Sequence, residues 1–196
     1  VDDAHSIGVL GGGRGTGVHL GCNDDVDLIM GTFSKSFASL GGFIAGSEPV
    51  IHYIQHHARS LIFSASMPPG NVAAVAAALE VMIEEPERIT RVNEIGRCMR
   101  QEFQRLGFNT GPSQTPIIPI IIGDQNATFL TWKILFEEGV YTNPVIPPGV
   151  PPNLSLLRTS YMATHTDSQM QFVLEKFEKV GKMLSLINPS QSVGRA

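Results

Sequence analysis

Asp27-Leu-Ile-Met-Gly-Thr-Phe-Ser-Lys-Ser-Phe-Ala-Ser-Leu-Gly-Gly42 runs from an apolar stretch straight into hydroxyls, glycines and a single lysine, Lys35. An ammonium is costly to take out of water without a partner, so a lysine placed where a buried strand gives out needs a reason. Upstream, Val1-Asp-Asp-Ala-His-Ser6 reads as the carboxyl end of another strand, and downstream Gly42–Ala45 reads as a third. Short apolar runs joined by loops and helices predict a layered α/β sheet buried on both faces. Ligands bind at the carboxyl edge of such sheets. Asp2 and His5 from one strand end, and Thr32 and Lys35 from the next, are therefore predicted to converge on one site.

The remaining composition narrows the function classes. The 196 residues are 42% hydrophobic and 16% charged, enough for a sizeable core and for one large domain or two small ones. A net charge of -4 and a pI near 5.8 provide no basic footprint for nucleic acid, and no basic cluster marks a membrane surface. No apolar run reaches the roughly 18 to 20 residues of a transmembrane helix. Cys22 and Cys98 lie far apart and outside any CxxC spacing, which predicts neither a disulfide framework nor a zinc site, and points to a reducing, cytoplasmic setting.

Along the chain, residues 48–58 read as an amphipathic helix with Val50, Ile51 and Ile54 on one side, and Leu61-Ile-Phe63 as a short strand closed by Ser64-Ala-Ser-Met-Pro-Pro69. Asn71 reads as the N-cap of a helix whose buried stripe is Val72, Val75, Leu79 and Met82, ended by Pro86. Ile89, Val92, Ile95, Met99, Phe103 and Leu106 predict a second helix, capped by Gly107. Pro116–Ile122 is a β-rich run whose prolines predict an edge position. Asn126–Glu138 reads as a helix with Phe129, Trp132 and Phe136 inward, stopped by Gly139. Val140–Ile146 and Leu156–Met162 read as strands on either side of the proline-rich loop 147–152. A capping box, Thr166-x-x-Gln169, opens a last helix carrying Met170, Val173, Phe177, Val180 and Leu184. These readings predict one domain over 1–87, a small α+β domain over 88–188 and a disordered tail over 189–196.

The polar residues at the two strand ends have complementary chemistry. A lysine amine can join an aldehyde as a Schiff base, and a carboxylate can hold a pyridine nitrogen protonated, which is what makes pyridoxal phosphate an electron sink. His5 is positioned in sequence for the ring's phenolic oxygen, and Thr32, Ser34, Ser64 and Ser66 offer hydroxyls to a phosphate. Singly, each has a plain alternative: Asp2 as a turn residue, His5 as a satisfied strand-end histidine, Lys35 as a solvated loop lysine, Ser64 and Ser66 as caps or turns. Jointly, D-x-x-H followed about 30 residues later by T-x-x-K is far more specific.

With these residues in view, "VDDAHSIGVLG", "GTFSKSF", "GGFIAG", "FSASMPP" and "LLRTSYMATHT" closely resemble the α-oxoamine synthases, pyridoxal phosphate enzymes of aspartate-aminotransferase fold type I. The resemblance runs from residue 1 to about 186 and matches the carboxyl-terminal half of that family. It implies decarboxylative condensation of an amino acid with an acyl-CoA, with Lys35 carrying the cofactor, Asp2 on the pyridine nitrogen, His5 on the phenolic oxygen and Thr32 on the phosphate. Ser64 and Ser66 match a segment that reaches a neighbouring subunit's phosphate, which implies a homodimer with a shared active site. Arg158, seven residues before His165, matches the arginine that takes the substrate carboxylate, a role suited to a planar two-point donor; its plain alternative is a surface charge on a strand. "GTFSKSFASLGGFIAG" and "PPGVPPNLSLLR" look most like the branch that joins L-serine to a long-chain acyl-CoA; sister branches using other amino acids remain alternatives. The resemblance further implies an absent amino-terminal half carrying a phosphate loop, the ring that stacks on the cofactor and part of the CoA entrance, so that the 196 residues alone are not expected to turn over substrate. A non-catalytic partner subunit is the rival reading, since the family includes such chains; those lack the lysine that this chain has.

Two other signals lead elsewhere. The glycine-rich run "GVLGGGRGTG" invites a nucleotide-loop reading, but no G-x-G-x-x-G fits it, no G-K-[ST] follows and no good helix is predicted after it. Gly13-Arg14-Gly15 instead matches a G-R-G core of the family. His52, His56 and His57 fall on one predicted helix with no carboxylate partner, which favours a polar face over metal ligation.

Overall fold

The computed structural model describes residues 1–187; the predicted tail at 189–196 lies outside them. By contacts the chain divides into two compact units, Val1–Arg91 and a second from Val92 onward.

In the first unit, α1 (Thr16–Leu20) is followed by β1 (Leu28–Thr32) and β2 (Gly42–Gly46), an antiparallel pair in which Gly31 lies opposite Phe43 and Thr32 opposite Gly42. Helices α2 (Glu48–His57), α3 (Arg59–Ile62) and α4 (Pro69–Glu84) come next, and α5 (Glu87–Leu106) begins. Several expectations change here. The sheet is not buried on both faces: β2 is exposed except for a half-buried Phe43. Leu61–Phe63 is not a strand. Arg59–Ile62 forms a helical turn and Phe63 stands 82% exposed, because so short an apolar run carries no period to separate helix from strand. A helix does begin in the glycine-rich run, the five-residue α1.

Asn71 is not the N-cap of α4. Pro68 is, and Pro69 occupies the first helical position, where a missing N–H costs nothing. No residue of α4 is buried: Asn71, Val75, Ala78 and Met82 are half-buried, whereas Val72 and Leu79 of the expected stripe are exposed.

The second unit holds the main core. Along α5, Ile89, Val92, Ile95, Met99, Phe103 and Leu106 are all buried as predicted, and Gly107 ends the helix at φ 96. Strand β3 (Ile117–Gly123) is an edge strand, as its prolines indicated, in the antiparallel order β3-β5-β4 with β4 (Asn143–Val145) and β5 (Ser155–Ser160). Both latter strands are shorter than predicted. Helix α6 (Gln125–Glu137) is capped by the Asp124 side chain, which accepts from Ala127 N–H at 2.7 Å. Its buried face is Thr128, Thr131 and Leu135, while Phe129 and Phe136 face solvent and Trp132 is half-buried. The predicted capping box opens α7 (Asp167–Met183). Its Phe177 meets Phe103 edge-on at 4.9 Å and Phe108 at 5.8 Å in the middle of the core.

Candidate active site

Two strand ends lie side by side in the first unit. Val1–Asp3 runs parallel to β1: the Met30 N–H donates to the Val1 carbonyl at 2.9 Å and the Asp3 N–H to the Met30 carbonyl at 2.8 Å. From this register one segment continues into Ala4–His5 and the other into Thr32–Lys35. Asp2, His5, Thr32 and Lys35 thus lie toward the same end of one parallel pair. Asp2 is exposed and its Oδ1 accepts the Ala4 N–H at 2.9 Å; His5 is exposed on the turn that follows.

The Lys35 loop answers the question its sequence raised. Phe33 and Phe37 are buried and meet edge-on at 5.3 Å, while Ser34, Lys35 and Ser36 between them are exposed. The loop closes through the Phe33 N–H to the Gly41 carbonyl at 2.9 Å and the Ser39 N–H to the Phe33 carbonyl at 2.8 Å. Two apolar anchors therefore hold the backbone while the ammonium stays in water, and no buried charge has to be offset. The Ser36 hydroxyl donates to the Ile7 carbonyl at 2.7 Å, tying this loop to the Asp2–Ile7 turn.

Thr32 and Ser34 form a small hydroxyl cluster. Their oxygens are 2.8 Å apart, and Thr32 Oγ1 also accepts the Ser34 N–H at 3.3 Å and donates to the Gly41 carbonyl at 3.3 Å. Ser64 and Ser66 are exposed in the segment between α3 and α4. Met67, next along, packs over Gly41, which takes φ 104, and the Ser39 hydroxyl donates to the Asn71 carbonyl at 3.1 Å. Arg158 belongs to the second unit, exposed on β5 opposite Pro119 and Asn143. It borders a cavity of about 440 Å³ lined also by Tyr141, Thr142, Tyr161, His165 and Met170. The Met162 N–H donates to His165 Nδ1 at 3.2 Å, and burial pushes the Tyr161 hydroxyl above its ordinary range against the opposing Thr159 hydroxyl.

Sequence reasoning passed over Asp3. It is 1% exposed, and its Oδ1 accepts the Ser6 hydroxyl at 2.6 Å and the Thr16 N–H at 3.0 Å. The available signal was the Asp2-Asp3 pair: neighbours in extended chain point to opposite sides, so one of two adjacent carboxylates at a strand end turns inward. Burial raises the Asp3 pKa, but the hydrogen bonds from Ser6 and Thr16 outweigh it and hold the carboxyl below its usual 3.8.

The donor set of the first unit is an exposed amine, a carboxylate, an imidazole and two clustered hydroxyls with a backbone N–H beside them. That set fits an aldehyde-bearing aromatic phosphate with a basic ring nitrogen. Among the described residues no group of three or more His, Cys, Asp or Glu is arranged to hold a metal ion, and no helix is long and apolar enough to cross a membrane.

Comparison with known proteins gives the same direction. The family model described as aminotransferase class I and II matches residues 1–177. The chain is 49% identical to the serine palmitoyltransferase of Sphingobacterium spiritivorum over 187 residues, covering 95% of this chain and 47% of that one. It is 42% identical to the 8-amino-7-oxononanoate synthase of Thermosipho melanesiensis over 188 residues, covering 95% and 48%. A solved structure of a serine palmitoyltransferase variant from S. paucimobilis, with a bound pyridoxal phosphate–myriocin aldimine, superposes with a TM-score of 0.91 at 32% identity, covering 95% of this chain and 48% of that one. The chain spans about half the length of the curated relatives it matches, and its fold is that of the aspartate-aminotransferase-like type I transferases. By the match of the family model over most of its length and by the folded arrangement of its strand ends, this chain belongs to the aminotransferase class I and II family.

Proposed function

We propose that this chain carries the lysine-bearing part of a pyridoxal-phosphate-dependent C-acyltransferase, which condenses an α-amino acid, L-serine first, with a long-chain acyl-CoA, releasing CO2 and coenzyme A and leaving a 3-oxo amine. What supports it best is the parallel register of Val1–Asp3 with β1, from whose shared end Asp2, His5, Thr32 and Lys35 emerge, together with 49% identity to a serine palmitoyltransferase. The 42% identity to an 8-amino-7-oxononanoate synthase keeps a sister α-oxoamine synthase as the second reading. The presence of Lys35, exposed beyond the end of β1, disfavours a non-catalytic partner subunit.

Bound pyridoxal phosphate supplies an electron sink for the pair released when a bond at the amino acid's Cα breaks. In this reading Lys35 Nζ would hold the cofactor's aldehyde carbon covalently, and the same amine, once free, would take the proton from the amino acid's Cα. Asp2 keeps the ring nitrogen protonated, and His5 hydrogen-bonds the phenolic oxygen. Thr32 and Ser34 bind the phosphate, while Ser64 and Ser66 serve the phosphate of a second copy in a homodimer. Arg158 takes the substrate carboxylate. Since the relatives are about twice as long, turnover is assigned to the longer protein and not to the 196 residues alone.

The test is the visible absorption of the full-length protein with added pyridoxal phosphate, titrated with serine, glycine and alanine, beside Lys35→Ala. The expected result is a yellow band perturbed at low concentration by serine, and no such band in Lys35→Ala with the melting temperature unchanged. Perturbation by alanine or glycine alone would move the assignment to a sister enzyme. A band that survives Lys35→Ala would remove Lys35 from its role.

A further inference from the structure

The glycine-rich run that fails as a nucleotide loop is used by the fold in another way. Asp3 is buried between the Asp2–Ile7 turn and that run, and three polar groups close on one another there. Ser6 Oγ donates to Asp3 Oδ1 at 2.6 Å, Thr16 N–H donates to the same oxygen at 3.0 Å, and Thr16 Oγ1 donates to Ser6 Oγ at 2.8 Å. Backbone bonds finish the turn, from the Ser6 and Ile7 N–H groups to the Asp3 carbonyl at 3.0 and 3.1 Å. The Thr16 N–H opens α1, whose N-cap is Gly15 and offers no side chain, so the Asp3 carboxylate satisfies a donor that the helix itself leaves unpaired. Gly15 takes φ 98, and a Cβ on it would lie 2.2 Å from Asp3 Oδ2. The far side of the same turn is fixed by Ser36, whose hydroxyl holds the Ile7 carbonyl.

We infer that Asp3 is a positioning residue: its buried carboxylate locks the turn bearing Asp2 and His5 onto the glycine-rich loop, and through Ile7 and Ser36 sets that turn against the Lys35 loop. The inference rests on the cofactor reading of Asp2, His5 and Lys35. Asp2 and His5 are both exposed on the short turn whose buried residue is Asp3. A buried carboxylate with two hydrogen-bond donors is a stiff support, because loss of either bond leaves a desolvated charge. The lowered Asp3 pKa agrees with a carboxylate held charged by those donors.

The experiment compares wild type, Asp3→Asn and Lys35→Ala in the full-length protein. Asp3→Asn keeps the shape but loses the charge and one acceptor oxygen. Pyridoxal phosphate affinity and the visible circular dichroism of the bound cofactor are read first, with the covalent label on Lys35 after borohydride reduction located by peptide mass spectrometry. Amide hydrogen exchange at Thr16 and Ser6 is followed in cofactor-free protein. For Asp3→Asn the expectation is at least tenfold weaker cofactor binding, altered visible dichroism and at least tenfold faster exchange at Thr16, with Lys35 still the labelled residue. Wild-type affinity and dichroism would overturn the positioning role, as would a loss of binding that only tracks global unfolding. If Lys35 of the wild type takes no label, the cofactor reading falls, and the positioning role falls with it. The exchange at Thr16 then still decides the lock itself: unchanged exchange in Asp3→Asn refutes it.

Discussion

The two units are stabilised in different ways. Among the described residues from Val92 onward, fifteen buried apolar residues from α5, β3, α6, β5, α7 and the segments beside them form one cluster, with Phe103, Phe108 and Phe177 packed edge-on at its centre. In Val1–Arg91 the buried apolar side chains are Phe33, Phe37 and Ile89, while Phe63, Ile83 and Leu20 stand 82%, 69% and 67% exposed. What the first unit has instead is close backbone approach: a parallel bridge, glycines under aromatic and sulfur groups, and the Asp3 lock. The second unit is held by a packed core, the first by a few directional contacts.

The largest effect is expected where that contrast is sharpest. Phe177→Ala removes a ring that is 1% exposed and touches both Phe103 and Phe108, at a loss of about 3 to 5 kcal/mol. Phe63→Ser, on the most exposed large apolar residue of the first unit, should change stability by no more than about 0.5 kcal/mol. Paired chemical denaturation of the two variants checks the contrast. If Phe63→Ser costs as much as a core substitution, the face bearing Phe63 is covered in solution and the first unit is less open than it stands here.

How much of this was legible in the sequence also divides by region. Wherever a long period faced a core, the pattern was enough: every residue of the α5 stripe is buried, and the Thr166–Gln169 box caps α7. On helix α6 the aromatic spacing predicts a buried face that only Trp132 meets, packed against the core, while Phe129 and Phe136 are exposed. Thr128 and Thr131 are buried in their place, since their hydroxyls donate back to the Asp124 and Ala127 carbonyls at 2.7 Å and carry no unpaired polar group inside. Among candidate site residues, Asp2, His5, Thr32 and Lys35 were readable because strand ends and spacing bring them out together. Asp3 was not, because its partner Thr16 lies thirteen residues away and only the folded loop joins them.

A smaller loss than that of Phe177→Ala tests the other side of the comparison. Gly15→Ala forces a side chain onto backbone at φ 98 and against the Asp3 carboxylate, which costs about 1 to 3 kcal/mol for the backbone alone. The melting temperature should fall, with hydrogen exchange at Thr16 accelerated while the amides of α5 after Val92 and of α7 keep their protection. Equal loss of protection in both units would mean that they unfold as one cooperative block.

The smallest effect belongs to charge on the surface of the well-packed unit. Glu138, just past α6, accepts from Lys176 Nζ at 2.8 Å and Lys179 Nζ at 2.7 Å on α7, and these bonds hold its pKa at about 2, below the ordinary 4.5. Because the folded pKa lies below the unfolded one, the pair's contribution is fully present above the ordinary carboxylate pKa and is lost as pH falls through the folded value. The difference in melting temperature between wild type and Glu138→Gln should therefore be constant at neutral pH, shrink below about pH 5 and vanish near pH 2. Added salt should shrink the same difference at neutral pH, since Lys179 is mostly exposed and its attraction is screened. A difference that grew on acidification would mean that Glu138 folds with a raised pKa, and that the two lysines are not what joins α6 to α7.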